Sequence, residues 1–107
     1  MTFDYEKFKR SVDYIKEHEG QFVITRTSAS YNRLMTFLWD GMNKVYQLVT
    51  PSGIVVLFDA YMIRESNNTI DLFRWKEIDG KYHQIMTCVL SIHETEEYAI
   101  GNVEVEV

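Results

Sequence analysis

The chain has 107 residues, of which 46% are apolar and 14% aromatic, and its formal net charge is -5. A chain of this length and composition can bury a core as one domain spanning residues 1–107, which excludes a disordered protein. Its longest apolar run is too short to cross a bilayer, and no basic and apolar leader follows Met1, so we expect a cytoplasmic protein without a membrane segment.

The charges are distributed unevenly along the chain. Residues 1–81 contain eleven basic and eleven acidic residues, and no lysine or arginine follows Lys81. The acidic excess comes from five C-terminal carboxylates: Glu94, Glu96, Glu97, Glu104 and Glu106. This pattern predicts an acidic surface that attracts a basic protein partner and repels the phosphates of nucleic acids.

The first predicted element is an amphipathic helix from Phe3 to about Glu19. Its apolar side chains recur at helical spacing and are expected to face the core: Tyr5, Phe8, Val12 and Ile15. Thr2 is the predicted N-cap, because its hydroxyl can accept a free N–H of the first turn, and Gly20 is the predicted end signal.

Beyond Gln21 the apolar pattern changes to a period of two, with turn residues at short intervals, which predicts antiparallel strands. Strands are predicted at 21–27, 31–39, 44–50, 54–63, 69–78 and 81–92, with an edge strand at 103–107. The range 31–39 also fits a helix, but a strand is favoured because Asp40-Gly41 is a two-residue hairpin signal. The remaining loops and turns are predicted at 28–30, 50–53, 65–68 and 79–80.

The apolar stretch 54–63 contains a single charge, Asp59, and would need cover on both of its faces. We therefore predict that it forms a central strand. The predicted fold is α+β, with an N-terminal helix packed on a twisted antiparallel β-meander of about six or seven strands.

Short turns fix the register of the predicted sheet. A two-residue turn at 79–80 places Trp75 opposite Gln84, and a four-residue loop at 65–68 places Asp59 opposite Arg74. One face then collects the predicted main core, beneath the helix: Phe37, Trp39, Tyr46, Leu48, Phe58, Ala60, Met62, Phe73, Trp75, Met86, Cys88 and Leu90. One helix cannot also cover the opposite, mixed face, so we expect that face to curl on itself, to contact another chain as in a homodimer, or to hold a ligand.

The mixed face contains the candidate site. Asp59 and Arg74 are predicted cross-strand partners of opposite charge, with Tyr61, Lys76 and His83 nearby. A structural ion pair is the simpler interpretation, and the alternative is the polar anchor of a binding site. No second carboxylate accompanies Asp59 and no activated nucleophile is evident, so the pattern does not predict an enzyme.

No metal, cofactor or nucleic-acid site is predicted. His83, Cys88 and His93 are five residues apart, a spacing that in a regular strand puts the cysteine on the face opposite both histidines. The aromatic side chains of 73–76 are expected to turn into the core while the cations turn outward. One exposed face would then lack the combination of aromatic and basic groups that binds nucleic acids.

The sequence predicts a small non-enzymatic protein that binds another protein, of the inhibitor, immunity or regulatory type. Contact is expected through the mixed sheet face or through the acidic C-terminal surface. The alternative is a small-molecule-binding protein whose curled sheet forms a cup lined by Asp59, Tyr61, Arg74 and His83, and an enzyme of unknown type ranks third.

Overall fold

The computed structural model describes residues 3–27 and 32–103. Over these ranges a helix, α1 (Tyr5–His18), is followed by eight strands: β1 (Gln21–Thr27), β2 (Asn32–Asp40), β3 (Val45–Val49), β4 (Val55–Phe58), β5 (Ala60–Arg64), β6 (Thr69–Ile78), β7 (Lys81–Ser91) and β8 (Glu97–Val103). The strand pairs are antiparallel, which confirms the predicted α+β class. Strand β8 was not predicted: the last strand was expected at 103–107, whereas β8 pairs with β1 over 97–103. Residues 104–107 of that prediction and the loop predicted at 28–30 lie outside the described ranges.

Both ends of α1 are fixed by residues other than the predicted ones. The Asp4 carboxylate accepts the Lys7 N–H at 2.9 Å and so caps the first turn. Thr2, the predicted cap, lies outside the described residues. At the other end Glu19, with φ 52°, occupies the left-handed position that terminates the helix, and Gly20 follows it.

The strands form two sheets, one of five strands in the order β4-β3-β2-β1-β8 and one of three in the order β5-β6-β7. The prediction of one central strand at 54–63 is therefore wrong, because the chain is interrupted at Asp59, and β4 and β5 are edge strands of different sheets. The Asp59 N–H donates to the Phe73 carbonyl at 2.8 Å, and its carboxylate accepts the Trp75 N–H at 3.0 Å. The charge within the apolar stretch thus stabilises a corner between the sheets.

Three predicted turns form. Asp79 and Gly80 have φ of 51° and 77°, the pair of positive values that a two-residue primed turn needs, and Trp75 lies opposite Gln84 as predicted. A short 3-10 turn (Glu65–Asn67) connects β5 to β6. At 50–53, the N–H of Gly53 donates to the Thr50 carbonyl at 2.9 Å.

The two-residue turn predicted at Asp40-Gly41 is wrong. Asp40 pairs with Val45, so the connection is a four-residue loop at 41–44. The Asp40 carboxylate accepts the N–H groups of Met42 and Asn43 at 3.1 and 3.2 Å, and it also bonds the Asn43 side chain. These hydrogen bonds lower the pKa of Asp40 and stabilise the wider turn without positive φ at the first position.

The inner face of the five-stranded sheet is the core face that the sequence predicts. Its fully buried side chains include Phe37, Leu48 and Phe58, joined by Phe22 and Ile24 from β1. Helix α1 covers them through its own buried face, Phe8, Val12 and Ile15. The Tyr46 hydroxyl reaches the Val12 carbonyl at 3.4 Å, and burial raises the pKa of Tyr46 to about 12.

In β5, in β6 and in β7 up to Met86 the predicted faces are reversed, whereas Cys88 and Leu90, beyond the β-bulge in β7, stay on the predicted core side. Ile70 and Leu72, predicted for the mixed face, are fully buried. The side chains predicted for the core instead lie about half exposed on the outside: Met62, Trp75 and Met86. Phe58 and Tyr61 both belong to the core although three positions separate them, so the alternation of faces shifts by one across the corner at Asp59.

The curled arrangement lets one helix cover one face of both sheets. Phe8 makes edge-to-face contacts with Phe22 and Phe37 of the five-stranded sheet, at 5.8 and 5.6 Å between ring centroids. It makes the same kind of contact with Tyr61 of the three-stranded sheet, at 5.4 Å. The outer faces of the two sheets are therefore the surfaces that α1 does not cover.

Candidate functional site

The β6–β7 hairpin projects beyond the rest of the three-stranded sheet. Strand β5 has five residues, whereas β6 has ten and β7 has eleven, so β5 pairs only with 69–73 of β6. Every residue from 74 to 87 is exposed. We refer to 74–87 as the arm. Asp59 supports its base through the Trp75 N–H, and β4 contacts β6 and β7.

One side of the arm presents large aromatic and apolar side chains. Cross-strand pairing places the following residues on it, together with Met62 of β5, and we call this side the aromatic face: Phe73, Trp75, Glu77, Tyr82, Gln84 and Met86. The exposed fraction is 53% for Trp75, 69% for Tyr82 and 48% for both Met62 and Met86. Glu77 is the one charged member of this set.

A buried ion pair adjoins the aromatic face at the base of the arm. Asp71 shares the outer side of the sheet with Met62, but its carboxylate is buried and accepts the Arg64 Nε at 2.7 Å. The guanidinium of Arg64 is half exposed and lies over the acid. Because the two charges compensate each other, this border adds no net charge to the aromatic face.

The opposite side of the arm is basic. Pairing of Arg74 with Ile85, Lys76 with His83 and Ile78 with Lys81 places these six residues together, and we call this side the basic face. Three of the five predicted partner-face residues, Arg74, Lys76 and His83, are thus neighbours, as the predicted register requires. The predicted ion pair of Asp59 with Arg74 does not form among the described residues, since the Asp59 carboxylate faces the Trp75 N–H.

The other predicted residues lie apart from the basic face. Tyr61 packs on Phe8 inside the fold, and burial, followed by the charges of Asp13 and Glu6, raises the pKa of its hydroxyl. Asp59 is at the corner between the sheets. The structure therefore does not bring the predicted cup residues to one concave site.

Two depressions elsewhere on the surface are lined by different residues. One, of about 560 Å³, lies at the start of α1: Phe3, Asp4, Tyr5, Glu6, Glu65 and Asn68. The other, of about 280 Å³, lies at the end of β1 and β2: Arg26, Arg33, Met35, Pro51 and Ser52. Neither is lined by Asp59, Tyr61, Arg74 or His83.

The predicted acidic surface is partly neutralised within the chain. Glu96 forms an ion pair with Arg26 through two hydrogen bonds, and those bonds lower the pKa of Glu96. Glu94 accepts the Asn68 side-chain amide at 2.9 Å, and Glu97 is exposed on β8. Glu104 and Glu106 lie outside the described residues.

A β-bulge corrects the predicted relation between Cys88 and His83, while Cys88 itself packs against the core as predicted. Leu72 pairs with Cys88 but Phe73 with Met86, which leaves Thr87 as the extra residue. Cys88 and His83 therefore share a face, with roughly 15 Å of strand between them at about 3.3 Å per residue. Burial raises the pKa of the Cys88 thiol, and within residues 3–27 and 32–103 no group of three metal-binding side chains occurs.

The aromatic face was not predicted, because a ten-residue strand at 54–63 would have paired along the whole of 69–78. Only the interruption of that strand at Asp59 shortens the partner to β5 and leaves the end of the hairpin projecting. No protein-family model, curated protein or solved structure matches this chain. The described part of the chain also contains no helix with the length and hydropathy needed to cross a bilayer.

Proposed function

We propose that this chain is a protein-binding protein and that the arm is its contact element. The observation that carries the proposal is the exposure of Trp75, Tyr82 and Met86 on one side of a projecting hairpin, beside the exposed Met62 of β5. Tryptophan and tyrosine dominate the binding energy of protein interfaces, and methionine adapts its shape to a partner. A group of such side chains on one face is typical of an interaction site.

The exposed area is sufficient for the centre of an interface. At roughly 200 Å² for a full aromatic side chain, the exposed fractions of Trp75 and Tyr82 leave about 250 Å² accessible. Met62 and Met86 enlarge this apolar area. A standard interface buries about 800 Å² on each partner, so the aromatic face would supply its apolar centre and the surrounding polar residues its rim.

The basic face indicates the charge of the partner. Arg74, Lys76 and Lys81 lie on the other side of the same two strands and would border any surface that grips the arm. The proposed partner therefore has an apolar groove bordered by carboxylates. Rim charges of this kind raise the association rate more than the affinity, so we expect association to slow as salt is added.

The arm is already ordered before it meets a partner. Its tip is a two-residue turn with Asp79 and Gly80 at positive φ, and its base is hydrogen-bonded to Asp59. A contact element that is ordered in advance loses less conformational entropy on binding. This supports a role in binding over a role as a flexible loop.

The test compares arm variants with matched variants elsewhere. A Trp75→Ala/Tyr82→Ala protein should lose about 2 kcal/mol or more of binding free energy, roughly a thirtyfold change in Kd, for a partner captured by the wild type. Tyr14→Ala on α1 and Met42→Ala in the 41–44 loop remove exposed side chains outside the arm and should bind normally. Equal affinity of the arm variant and these controls would contradict the proposal.

The acidic surface remains the second candidate for protein binding, with Glu94 and Glu97 as its exposed described members. Reversing both charges in a Glu94→Lys/Glu97→Lys protein tests it against the arm. If that variant loses the captured partner while the Trp75→Ala/Tyr82→Ala variant keeps it, contact is made by the acidic surface. The cup for a small molecule lacks comparable support, because its predicted lining residues do not converge.

A further inference from the structure

The outer face of the five-stranded sheet consists of uncharged side chains over most of its width. Strand pairing arranges them in three rows: Gln21, Leu38, Gln47 and Leu57 in the first, Gly101, Val23, Thr36, Val49 and Val55 in the second, and Ala99, Thr25 and Leu34 in the third. We call these twelve residues the open face. None of them is buried, whereas the side chains on the other side of the same strands form the core.

The lack of charge on the open face distinguishes it from the rest of the surface. Charged residues make up 25% of the chain, and α1, the arm and the C-terminal glutamates contain most of them. On the open side of these strands the nearest charged positions are Asp40 and Glu97, at the ends of β2 and β8. Depletion of charged residues at the centre of a patch is the compositional mark of a protein interface.

We infer that the open face is covered by the open face of a second copy of this chain, so that the protein is a two-fold symmetric dimer. In such a dimer residues near the two-fold axis meet their own copies, so a charge there would face a like charge, and a charge elsewhere on the face would be buried unless an opposite charge lay at the matching position. The open face carries none. The other broad surfaces do, since α1 presents Lys7, Lys9 and Lys16 and the basic face presents Arg74 and Lys76.

The dimensions of the open face fit this occupant. Five strands about 4.8 Å apart, each about seven residues long at 3.4 Å per residue, give the sheet a flat area of roughly 500 Å². The accessible surface area of the face is larger, because its side chains protrude from that plane. That approaches the roughly 800 Å² that each subunit of a standard dimer buries. Two such sheets can pack face to face about 10 Å apart, with Leu34, Leu38 and Val49 interleaved. The Gln47 amide donates to the Asp40 carboxylate at 3.3 Å within the chain, at the border of the face.

The mass of the 107-residue chain in solution tests the inference. Light scattering coupled to gel filtration, over a wide range of protein concentration, should give twice 12.7 kDa. Leu34→Lys/Thr36→Lys places two cations at the centre of the open face and should weaken dimerisation by at least about a hundredfold, giving a monomer. Met42→Lys, in an exposed loop, and Trp75→Ala, on the arm, should remain dimers.

Circular dichroism of each variant shows whether it is folded. If the double lysine variant unfolds, Val55→Lys replaces it, because Val55 is 51% exposed on an edge strand and tolerates a charge in the monomer. A wild-type monomer at every concentration overturns the inference. So does a dimer that survives lysine on the open face, or one that dissociates with Trp75→Ala alone, which would place the dimer contact on the arm. The proposed binding role of the arm does not depend on these results.

Discussion

Side chains alternate between two faces in both sheets of this protein, but the face predicted for the core is buried in one sheet and exposed in the other. In the five-stranded sheet the large apolar residues of the predicted core face, such as Phe37 and Leu48, are buried beneath α1. In the three-stranded sheet the large residues of the same predicted face, such as Trp75 and Met86, are outside, and the smaller Ile70 and Leu72 are buried. Alternation holds along β5 and β6, and along β7 up to its β-bulge at Thr87, and the corner at Asp59 decides which parity reaches the core.

The two sheets also differ in how much of their length is anchored. The five-stranded sheet packs along its length on α1, where Phe22 and Phe37 stack at 4.7 Å between ring centroids. The three-stranded sheet contributes to this core only at the end where β5 pairs with β6, through residues such as Ile70 and Leu72. Beyond that end the arm continues into solvent with both faces exposed. Few buried contacts mean low local stability, so we expect the arm to open before the rest of the protein unfolds.

The largest expected effect tests the reversal of faces directly. Leu72→Ala removes a fully buried side chain and should lower the free energy of unfolding by about 2 to 5 kcal/mol. Trp75→Ala removes a larger side chain that is half exposed, and it should cost about 1 kcal/mol or less. Urea unfolding of both variants gives the comparison. A larger loss of stability for Trp75→Ala than for Leu72→Ala would mean that Trp75 is in the core, as the sequence predicts, and would contradict the reversal.

An intermediate effect is expected at the corner that causes the reversal. Asp59→Ala removes the acceptor of the Trp75 N–H and should destabilise the base of the arm by about 1 kcal/mol. Hydrogen exchange at the Trp75 amide should then be several-fold faster, while amides of the five-stranded sheet, such as Phe22, are unchanged. Asp59→Asn keeps an acceptor oxygen and should have the smaller effect. Uniform acceleration in both sheets would show that Asp59 stabilises the whole fold instead.

The smallest expected effect concerns the pH dependence of the five-stranded sheet. The Arg26 hydrogen bond holds the pKa of Glu96 below its ordinary value of 4.5, so the contribution of this pair to stability is present above that value and is lost as pH falls through the lower folded-state pKa. Glu96→Gln should therefore lose less stability than the wild type between neutral pH and about pH 3. Urea unfolding at both pH values measures the difference. If the free energy of unfolding falls equally in both proteins, Glu96 does not contribute to the loss of stability in acid.

The local elements follow closely from the sequence. Strands β1 and β6 have the predicted limits, and the Asp79-Gly80 turn sets the predicted register, because period-two patterns and turn residues act over a few neighbouring positions. Three of the predicted site residues, Arg74, Lys76 and His83, share a face for the same reason. Tyr61 and Asp59 do not join them, because the corner at Asp59 is stabilised by Phe73 and Trp75, which are far away along the chain.

The sequence by itself determined the helix, the strands β1 to β3, β6 and β7, the antiparallel pairing of these neighbouring strands and the charge distribution, all of which depend on short-range spacing. Only the tertiary structure decided that 54–63 breaks into two sheets and that Ile70 and Leu72, in place of Trp75 and Met86, face the helix. Both parities of β6 are apolar enough to form a core. The corner at Asp59 decides which of the two sets of alternating side chains of β6 faces the core. No local sequence pattern encodes the direction of that corner.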